Sequence, residues 1–239
     1  MIDFADIHCH VLPYVDDGAL RSEESMRLVE MQYQQGIRTV CLTPHLRQGM
    51  FESTDAEVQT QYQRFLERTK NRFHDMRFFL SREYHCDEQF FDRLSQRDII
   101  PLGENRFLLL EFSSLHSFND IRSAVSYVMK QGYLPLIAHL ERYTAVYKDL
   151  SAVQDLISMG AKIQMNAGSV LGREGLRQAR WSKKLLKEKM VHVIASDAHD
   201  PELRPPEIDR CAAYLERKVG KQYTEELLCT IPLQILNKE

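Results

Sequence analysis

The chain has 239 residues, of which 44% are hydrophobic and 27% are charged, so it is long enough to bury a large core. Its formal net charge of −3 gives no global positive field that would favour nucleic acid or an anionic membrane. Five irregularly spaced cysteines do not form a disulfide framework, and we find neither a secretory signal nor an apolar run of membrane-spanning length. We therefore expect a soluble cytoplasmic protein that binds no nucleic acid and does not insert stably into a membrane.

Short apolar segments alternate along the chain with longer segments that have a helical pattern. The predicted strands cover residues 5–11, 38–45, 77–85, 106–112, 134–141, 161–167 and 191–199. The first predicted helix runs from Ser22 to Gln35, begins with an acidic turn and ends before Gly36. Further predicted helices cover 54–75, 117–131, 148–159, 174–189, 206–219 and 223–229. This alternation requires parallel strands and crossover helices, so we predict one α/β barrel domain spanning residues 1–239.

Polar residues fall at the carboxyl ends of the predicted strands. They are His8, His10, His45, Glu83, Glu111, His139, Asp197 and His199. In a (β/α) barrel those ends converge on one face, where the chemistry takes place. Scattered structural histidines would not choose the same end of so many strands, so the sequence predicts a polar site at that face.

The spacing of these residues is typical of metal ligands. His8 and His10 are two residues apart on a strand, so both imidazoles project to one side and can reach one ion. Asp197 and His199 repeat the spacing at the last strand, and Asp17 offers a carboxylate in the turn after the first strand. Asp16 beside it is interpreted as a turn-forming residue.

Glu83 and Glu111 end apolar runs, where an ionised side chain is costly unless it is paired or binds a metal. The combined set holds nitrogen and oxygen donors and no obvious thiolate, which suits manganese, iron or zinc. Eight or nine candidate ligands exceed the needs of one ion. We therefore predict two or three divalent ions.

The segment from Cys41 to Arg47, C-L-T-P-H-L-R, has the spacing of the phosphate loop in cysteine-dependent phosphatases. Such loops use glycines to turn backbone N–H groups toward phosphate, whereas this segment has no glycine and Pro44 removes a donor. We therefore interpret Cys41 as a buried strand cysteine and assign the function of this segment to His45.

Arginines follow several of the predicted ligands. Arg142 lies shortly after His139, Arg204 lies in the loop after the last strand, and Arg47 follows His45. Guanidinium groups match phosphate oxygens, and a multimetal site can activate water and hold a phosphoryl group. We predict that Arg142 and Arg204 are catalytic residues that contact phosphate, and the role of Arg47 stays open.

Together the motifs resemble the polymerase-and-histidinol-phosphatase (PHP) superfamily, and most of all its bacterial protein-tyrosine phosphatases of capsular and exopolysaccharide operons. The resemblance covers nearly the whole chain, through D-I-H-C-H, V-D-D-G, P-H-L-R-Q-G-M-F, L-L-E-F-S, I-A-H-L-E-R-Y, A-S-D-A-H and R-P-P. It implies a distorted (β/α)7 barrel with a trinuclear, usually manganese-dependent site. The substrate it implies is the phosphorylated tyrosine tail of a bacterial tyrosine kinase that controls polysaccharide assembly.

The resemblance also implies a division of the ligands among three ions. The first ion would have His8, His10, Glu111 and Asp197, the second Glu83, Glu111 and His139, and the third Asp17, His45 and His199. Arg142 and Arg204 match the phosphate-contacting arginines of the family. The sequence departs from the family pattern at His85, a residue that could join or tune the site.

The reaction that we expect is hydrolysis of phosphotyrosine by direct attack of a metal-bound hydroxide, without a phosphoenzyme. Three alternatives stay open: a small-molecule phosphatase of the histidinol-phosphatase type, an amidohydrolase-like metal hydrolase, and a catalytically inactive barrel that binds the kinase. The arginines favour a phosphate substrate over a C–N bond, and the complete ligand set disfavours an inactive scaffold. The native metal, the kinase partner and the oligomeric state are not determined by the sequence.

Overall fold

The computed structural model describes residues 3–237, in which nine short strands alternate with helices. The strands are β1 (Phe4–Cys9), β2 (Ile37–Leu42), β3 (His45–Leu46), β4 (Arg77–Leu80), β5 (Glu83–His85), β6 (Phe107–Glu111), β7 (Leu134–Ile137), β8 (Lys162–Asn166) and β9 (Val193–Ala195). The longer helices are α1 (Ser22–Gln34), α2 (Asp55–Thr69), α3 (Glu88–Gln96), α4 (Phe118–Lys130), α5 (Leu150–Ser158), α7 (Leu176–Lys187) and α8 (Ile208–Val219). The shorter helices are α6 (Ala167–Leu171), α9 (Lys221–Glu225), a π-helical segment Glu226–Thr230 and α10 (Ile231–Leu236), with 3₁₀ turns at Leu140–Arg142 and Thr144–Val146.

The strands close into a parallel barrel with seven strand positions. Strand β1 pairs with β2 and β2 with β4, while the second set runs in the order β3, β5, β6, β7, β8, β9. The chain beyond β9 pairs with β1, because Asp197 N–H donates to the His8 carbonyl (2.9 Å) and His10 N–H donates to the Ala198 carbonyl (2.8 Å). The predicted distorted (β/α)7 barrel is therefore confirmed.

The second and third predicted strands are each interrupted halfway, so that β2 continues as β3 and β4 continues as β5. Pro44, which lacks a backbone N–H, lies at the first interruption. The two strands stay paired across the gap, since Ser81 N–H donates to the Leu42 carbonyl (2.9 Å) and Glu83 N–H donates to the Pro44 carbonyl (3.2 Å). These interruptions account for the distortion of the barrel.

The amino half of the barrel interior is apolar. Its side chains are Ala5, Ile7, Cys41, Leu102, Phe107, Leu109, Leu136, Ala138, Val193 and Ala195. Helix α10 closes this end with Ile235 and Leu236, and Glu104 N–H donates to the Leu236 carbonyl (2.9 Å). Gly103 has a φ of 57°, and a Cβ there would approach the Leu236 carbonyl oxygen to 2.0 Å, so a glycine is required where the two segments meet.

Helix α3 is absent from the sequence prediction. Asp87 caps it by accepting a hydrogen bond from Phe90 N–H (3.0 Å), and Arg97 ends it in a left-handed conformation. Phe90 and Leu94 are buried on its inner face. The sequence pattern that indicates this helix is an N-capping aspartate, Asp87, followed by Phe90 and Leu94, two apolar residues four positions apart.

The other predicted helices are found with changed ends. Predicted helix 54–75 ends at Thr69, and 174–189 begins only at Leu176, after Gly175 with a φ of 103°. The predicted segment 223–229 continues through α10 to Leu236. Among residues 3–237, no helix combines the length and the apolar character needed to cross a bilayer.

Candidate metal centre

The polar residues at the carboxyl ends of the strands meet in one pocket at the upper end of the barrel. The structure brings together nine predicted ligands: His8, His10, Asp17, His45, Glu83, Glu111, His139, Asp197 and His199. All of them are buried except Glu111, which is partly buried, and Asp17, which is exposed. The barrel thus brings together ionisable side chains that are up to 191 positions apart in the sequence.

The deepest group of donors is formed by His8, His10, Glu83 and Asp197, whose ligand atoms lie within 4.8 Å of one another. Glu83 Oε2 lies 3.2 Å from the Nε2 atom of each histidine. Asp197 Oδ1 lies 3.4 Å from His8 Nε2 and 3.5 Å from His10 Nε2. Four donors from three parts of the chain therefore surround one point.

A second group contains His10, Asp17, His45 and His199. Asp17 Oδ1 lies 3.6 Å from His45 Nε2 and 3.6 Å from His199 Nε2. His10 belongs to both groups, so the two points that they surround are adjacent.

A third group contains His45, Glu83 and Glu111, with His139 beside it. His139 Nε2 lies 2.8 Å from Glu83 Oε1 and 3.9 Å from Glu111 Oε1. The grouping differs from the one that the resemblance implies, because Glu83 rather than Glu111 accompanies the first two histidines. Glu83 contributes to two groups and is central to the pocket.

The pocket leaves buried donor atoms unpaired in a way that fits metal ions. Glu83 Oε2, His45 Nδ1 and His199 Nε2 have no hydrogen-bond partner among the described residues. Glu83 Oε2 and His45 Nδ1 are 3.0 Å apart, but their alignment makes no hydrogen bond. Buried polar atoms of this kind are costly unless an ion or water occupies the space between them.

The charge states of these groups also fit metal binding. Burial alone would raise the pKa of Asp197, but the charges of Arg142 and His8 outweigh it and hold the pKa well below its usual range. Burial would also raise the pKa of Glu83, but the neighbouring histidines outweigh this effect and hold the pKa well below its usual range. Burial lowers the pKa of His199 to about 2, whereas neighbouring carboxylates outweigh burial and raise the pKa of His10 and of His139. The carboxylates and His199 are thus in the form that binds metal, and a bound ion would displace the protons of His10 and His139.

Asp16, which the sequence analysis treats as a turn residue, orients two of the ligands. Its Oδ2 lies 2.7 Å from His10 Nδ1 and accepts a hydrogen bond from His45 N–H (2.9 Å). The turn passes so close to the first strand that a Cβ at Gly18 would lie 2.1 Å from the His10 carbonyl oxygen. A carboxylate behind a ligand histidine fixes the ring and its tautomer.

Gln164 and Tyr143 orient two other histidines, a role that the sequence analysis assigned to neither residue. Gln164 Oε1 lies 3.1 Å from His8 Nδ1 and accepts a hydrogen bond from His139 N–H (2.7 Å). The Tyr143 hydroxyl is hydrogen-bonded to His139 Nδ1 (3.2 Å). These partners leave the Nε2 atoms of both histidines facing the centre of the pocket.

His139 and Asp197 have left-handed backbone conformations, with φ values of 30° and 53°. Such conformations cost roughly 1–3 kcal/mol for residues other than glycine and occur mainly at functional sites. The Gln164 side chain and the His8 carbonyl hold the two N–H groups in place (2.7 and 2.9 Å). The strand ends are thereby turned so that both side chains enter the pocket.

Arg142 and Arg204, the predicted catalytic arginines, converge on Asp197. Arg142 donates two hydrogen bonds to Glu174 (2.7 and 2.8 Å), and its Nη1 lies 3.0 Å from Asp197 Oδ2. Arg204 Nη2 and Asn166 Nδ2 each donate to the same oxygen at 2.7 Å. Both arginines line an open pocket of about 230 Å³ beside the ligands. Two fixed cations at the edge of a metal-binding pocket are suited to hold an anionic group.

Other residues that the sequence singles out fall in three places. His85 is buried, with Nδ1 3.2 Å from Glu111 Oε2, so it contacts a predicted ligand. Arg47 starts a tight turn, in which its N–H and carbonyl both pair with Phe51 (2.9 Å each). Cys41 is fully buried in the apolar interior, and burial raises the pKa of its thiol. The prediction of a buried strand cysteine is therefore confirmed.

Comparison with known proteins connects this pocket to one family. The sequence model of the family described as capsular polysaccharide synthesis, CpsB/CapC, matches residues 4–237. The tyrosine-protein phosphatase CpsB of Streptococcus agalactiae is 32% identical over 227 residues, which are 93% of each chain.

Solved structures show a similar relationship. One from a study of YwqE of Bacillus subtilis and CpsB of Streptococcus pneumoniae, described as metal-dependent tyrosine phosphatases, matches with a TM-score of 0.89 and 28% identity. The match covers 97% of this chain and 94% of that one. A histidinol phosphate phosphatase of Lactococcus lactis matches with a TM-score of 0.60, 16% identity and coverage of 92% and 95%, which shows the shared fold alone.

Proposed function

The chain belongs to the CpsB/CapC family of capsular polysaccharide synthesis, and from this premise we propose that it is a metal-dependent protein-tyrosine phosphatase. The observation that carries the proposal is the set of unpaired, buried donor atoms directly beside two fixed arginines. The substrate class is phosphotyrosine in proteins. The particular substrate that we propose is the phosphorylated tail of a tyrosine kinase that controls capsule or exopolysaccharide synthesis in the cytoplasm.

We propose two or three divalent ions, most simply Mn²⁺, held by the three overlapping groups of donors. His8, His10, Glu83 and Asp197 would hold one ion, and the groups that share His45 would hold the others. When bound, such ions lower the pKa of a coordinated water and neutralise charge on a phosphoryl group. The mixture of imidazole and carboxylate donors supports Mn²⁺, Fe or Zn²⁺.

The residues of the chain have distinct tasks in the proposed reaction. Arg142 is charged at all relevant pH values, because Asp197 and Glu174 outweigh the effect of burial and raise its pKa. Glu174 accepts hydrogen bonds from the Nε and Nη2 groups of Arg142, whose Nη1 faces Asp197 Oδ2 at the edge of the pocket. Arg204 approaches the same Asp197 oxygen from the loop after β9. The two arginines are placed to hold equatorial oxygens of a phosphoryl group during in-line attack.

The leaving group in this reaction places little demand on the protein. A phenolate, with a pKa of about 10, leaves more easily than an alkoxide. The proposal therefore needs no general acid from the chain. Direct attack by water also needs no nucleophilic side chain, in keeping with the burial of Cys41 below the pocket.

The test is hydrolysis of a phosphotyrosine peptide by protein that has been stripped with a chelator and supplied again with Mn²⁺. We expect activity only with metal, loss of nearly all activity in His45→Ala, and retention in Cys41→Ala. Cys41 is the matched control, because it lies on the strand that leads to His45 but belongs to the apolar interior. Chelator-resistant activity that depends on Cys41 would overturn the proposal, and preference for a small phosphate ester such as histidinol phosphate would redirect it.

A further inference from the structure

Helix α7 has a charge distribution unlike the rest of the surface. Its twelve residues include five basic residues and no acidic residue: Arg177, Arg180, Lys183, Lys184 and Lys187. All five side chains belong to exposed residues. Each of the other helices with nine or more residues among positions 3–237 contains at least one Asp or Glu. In a chain with a net charge of −3, this helix is therefore unusually basic.

Four of these residues form a single row along the helix. Arg177, Arg180, Lys184 and Lys187 are spaced three, four and three residues apart, which places them on one face. The opposite face is buried against the barrel through Ala179, Trp181, Ser182, Leu185 and Leu186. A helix of twelve residues is about 18 Å long. We name this row of four residues the basic strip.

The basic strip begins at the edge of the metal centre. Helix α7 follows β8 and α6, so its amino end lies on the face where the carboxyl ends of the strands meet. Glu174, just before the helix, is hydrogen-bonded to Arg142, and Arg173 lines the same pocket as Arg142 and Arg204. From there the strip runs down the outside of the barrel.

The cations of the strip are largely free to bind an external anion. Among the described residues, Arg180 and Lys187 have no ion-pair partner within 4.0 Å, and Lys184 pairs only with Glu188 (2.7 Å). Arg177 lies over the Tyr147 ring at 4.1 Å, which fixes its guanidinium group near the start of the strip.

Shallow pockets on both sides of α7 add further basic residues. A pocket of about 680 Å³ on one side is lined by Lys183, Lys187, Lys189, Lys218, Tyr214 and Tyr223. A pocket of about 310 Å³ on the other side is lined by Tyr147, Lys148, Leu150, Arg180, Trp181 and Lys184. Together the pockets and the strip form a basic surface that is continuous with the edge of the metal centre.

We propose that the basic strip binds an acidic segment of the protein substrate that lies next to the phosphotyrosine in sequence. This inference rests on the proposed function and specifies which substrates the site prefers. An extended peptide of five or six residues spans about 18 Å, the length of the helix. A substrate peptide that enters the pocket beside Arg142 and leaves along α7 would place its carboxylates opposite the four cations. The attraction would then increase with the number of carboxylates in the peptide.

An acidic peptide fits this surface better than a lipid bilayer does. Binding to a membrane surface by a helix uses apolar side chains that enter the lipid. Here Trp181 and Tyr223 are buried, Tyr147 and Tyr214 are partly buried, and Leu176 is the exposed large apolar residue of the helix.

The test compares two phosphotyrosine peptides in the metal-loaded protein, one flanked by four Glu residues and one by four Gln residues. For Arg180→Glu combined with Lys187→Glu, we expect kcat/KM for the Glu peptide to fall about tenfold, while the Gln peptide and p-nitrophenyl phosphate change less than about twofold. Increasing salt should remove the preference of the unaltered protein for the Glu peptide, because exposed charges are screened.

The matched control is Arg64→Glu combined with Arg68→Glu on α2. It makes the same change in net charge at exposed helix residues that also have no ion-pair partner in the described chain. We expect no change in peptide preference. Equal losses on both peptides, or equal losses in the control, would overturn the role of the strip.

Failure of the basic strip and failure of the proposed function give different results. If the unaltered protein hydrolyses neither peptide with Mn²⁺, the proposed function itself is contradicted. Binding to phosphatidylserine vesicles that is lost in the α7 variant, together with an unchanged peptide preference, would assign the strip to lipid and overturn the proposal. Loss of the Glu-peptide preference without vesicle binding would support it.

Discussion

Both halves of the barrel interior contain fully buried side chains, but the two halves have opposite chemistry. At the amino end Ile7, Leu109 and Leu136 pack in an apolar core that α10 closes. At the carboxyl end Glu83 and His8 are just as fully buried, yet they are charged or polar. The first half stabilises the fold by removing apolar surface from water, whereas the second half opposes folding unless its groups are paired.

The boundary between the halves is only two residues wide on some strands. Leu109 belongs to the apolar core and Glu111 to the metal centre, and Ala195 and Asp197 are related in the same way. Side chains two residues apart on a strand share a face, so one strand can serve both regions. Fold stability and catalytic chemistry therefore depend on different ends of the barrel. We expect substitutions at the amino end to lower stability and substitutions at the carboxyl end to lower activity.

The largest effect is expected from Asp197→Asn in the upper half. The substitution keeps the shape but removes the charge that faces His8 and His10 on one side and two arginines on the other. We expect kcat on a phosphotyrosine peptide to fall at least about 10³-fold, with reduced metal content by elemental analysis. Normal metal content and near-normal kcat would place Asp197 outside the reaction.

Leu109→Ala, in the apolar amino half of the barrel, should reduce stability and leave catalysis unchanged. Removal of a fully buried leucine from the apolar core should lower the free energy of unfolding by about 3 kcal/mol. Urea unfolding measures this loss, and kcat of the protein that remains folded should be unchanged. A large drop in kcat without loss of stability would show that the two halves are not separable.

Asp16→Asn should give an intermediate effect, because Asp16 acts on the site through His10 and His45. Its carboxylate keeps a low pKa of about 2 in spite of burial, since it faces the charge of His10. We expect metal affinity or kcat/KM to fall about 10- to 100-fold. Asp16→Glu tests whether a displaced carboxylate restores part of the affinity, and retention of full affinity in Asp16→Asn would contradict the orienting role.

The smallest effect concerns His192, at the lower end of β9 and away from the ligands. Burial lowers its pKa to about 4, and its Nδ1 accepts a hydrogen bond from Ile163 N–H (3.1 Å). Below pH 6.5 His192 binds a proton more readily in the unfolded chain than in the folded chain. Its contribution to the free energy of unfolding is therefore fully present above pH 6.5 and declines as the pH falls toward 4.

We expect this decline to amount to about 1–2 kcal/mol, because the ring is partly exposed. The free energy of unfolding, measured from pH 7 to pH 4.5, should fall more steeply in the unaltered protein than in His192→Gln. If the two proteins lose free energy of unfolding in parallel as the pH falls, His192 does not contribute to the loss of stability in acid.

The sequence predicts the barrel and the convergence of its candidate ligands because both depend on local patterns. The polar residue at each strand end is visible without knowledge of its partners. Gln164 escaped prediction because its partner His8 lies 156 residues away and a glutamine carries no signal of its own. The grouping of donors also departs from the division that the resemblance implies, since Glu83 reaches across the barrel to several histidines at once.

The closure of the barrel has a consequence for synthesis on the ribosome. Strand β1 pairs with the segment after β9, and α10 seals the amino end of the interior. The first strand must therefore wait until almost 200 residues have been translated before its second neighbour exists. Until then the nascent chain presents two open sheet edges and an uncovered apolar interior, so chaperones that bind such surfaces can act until the segment after β9 has been translated.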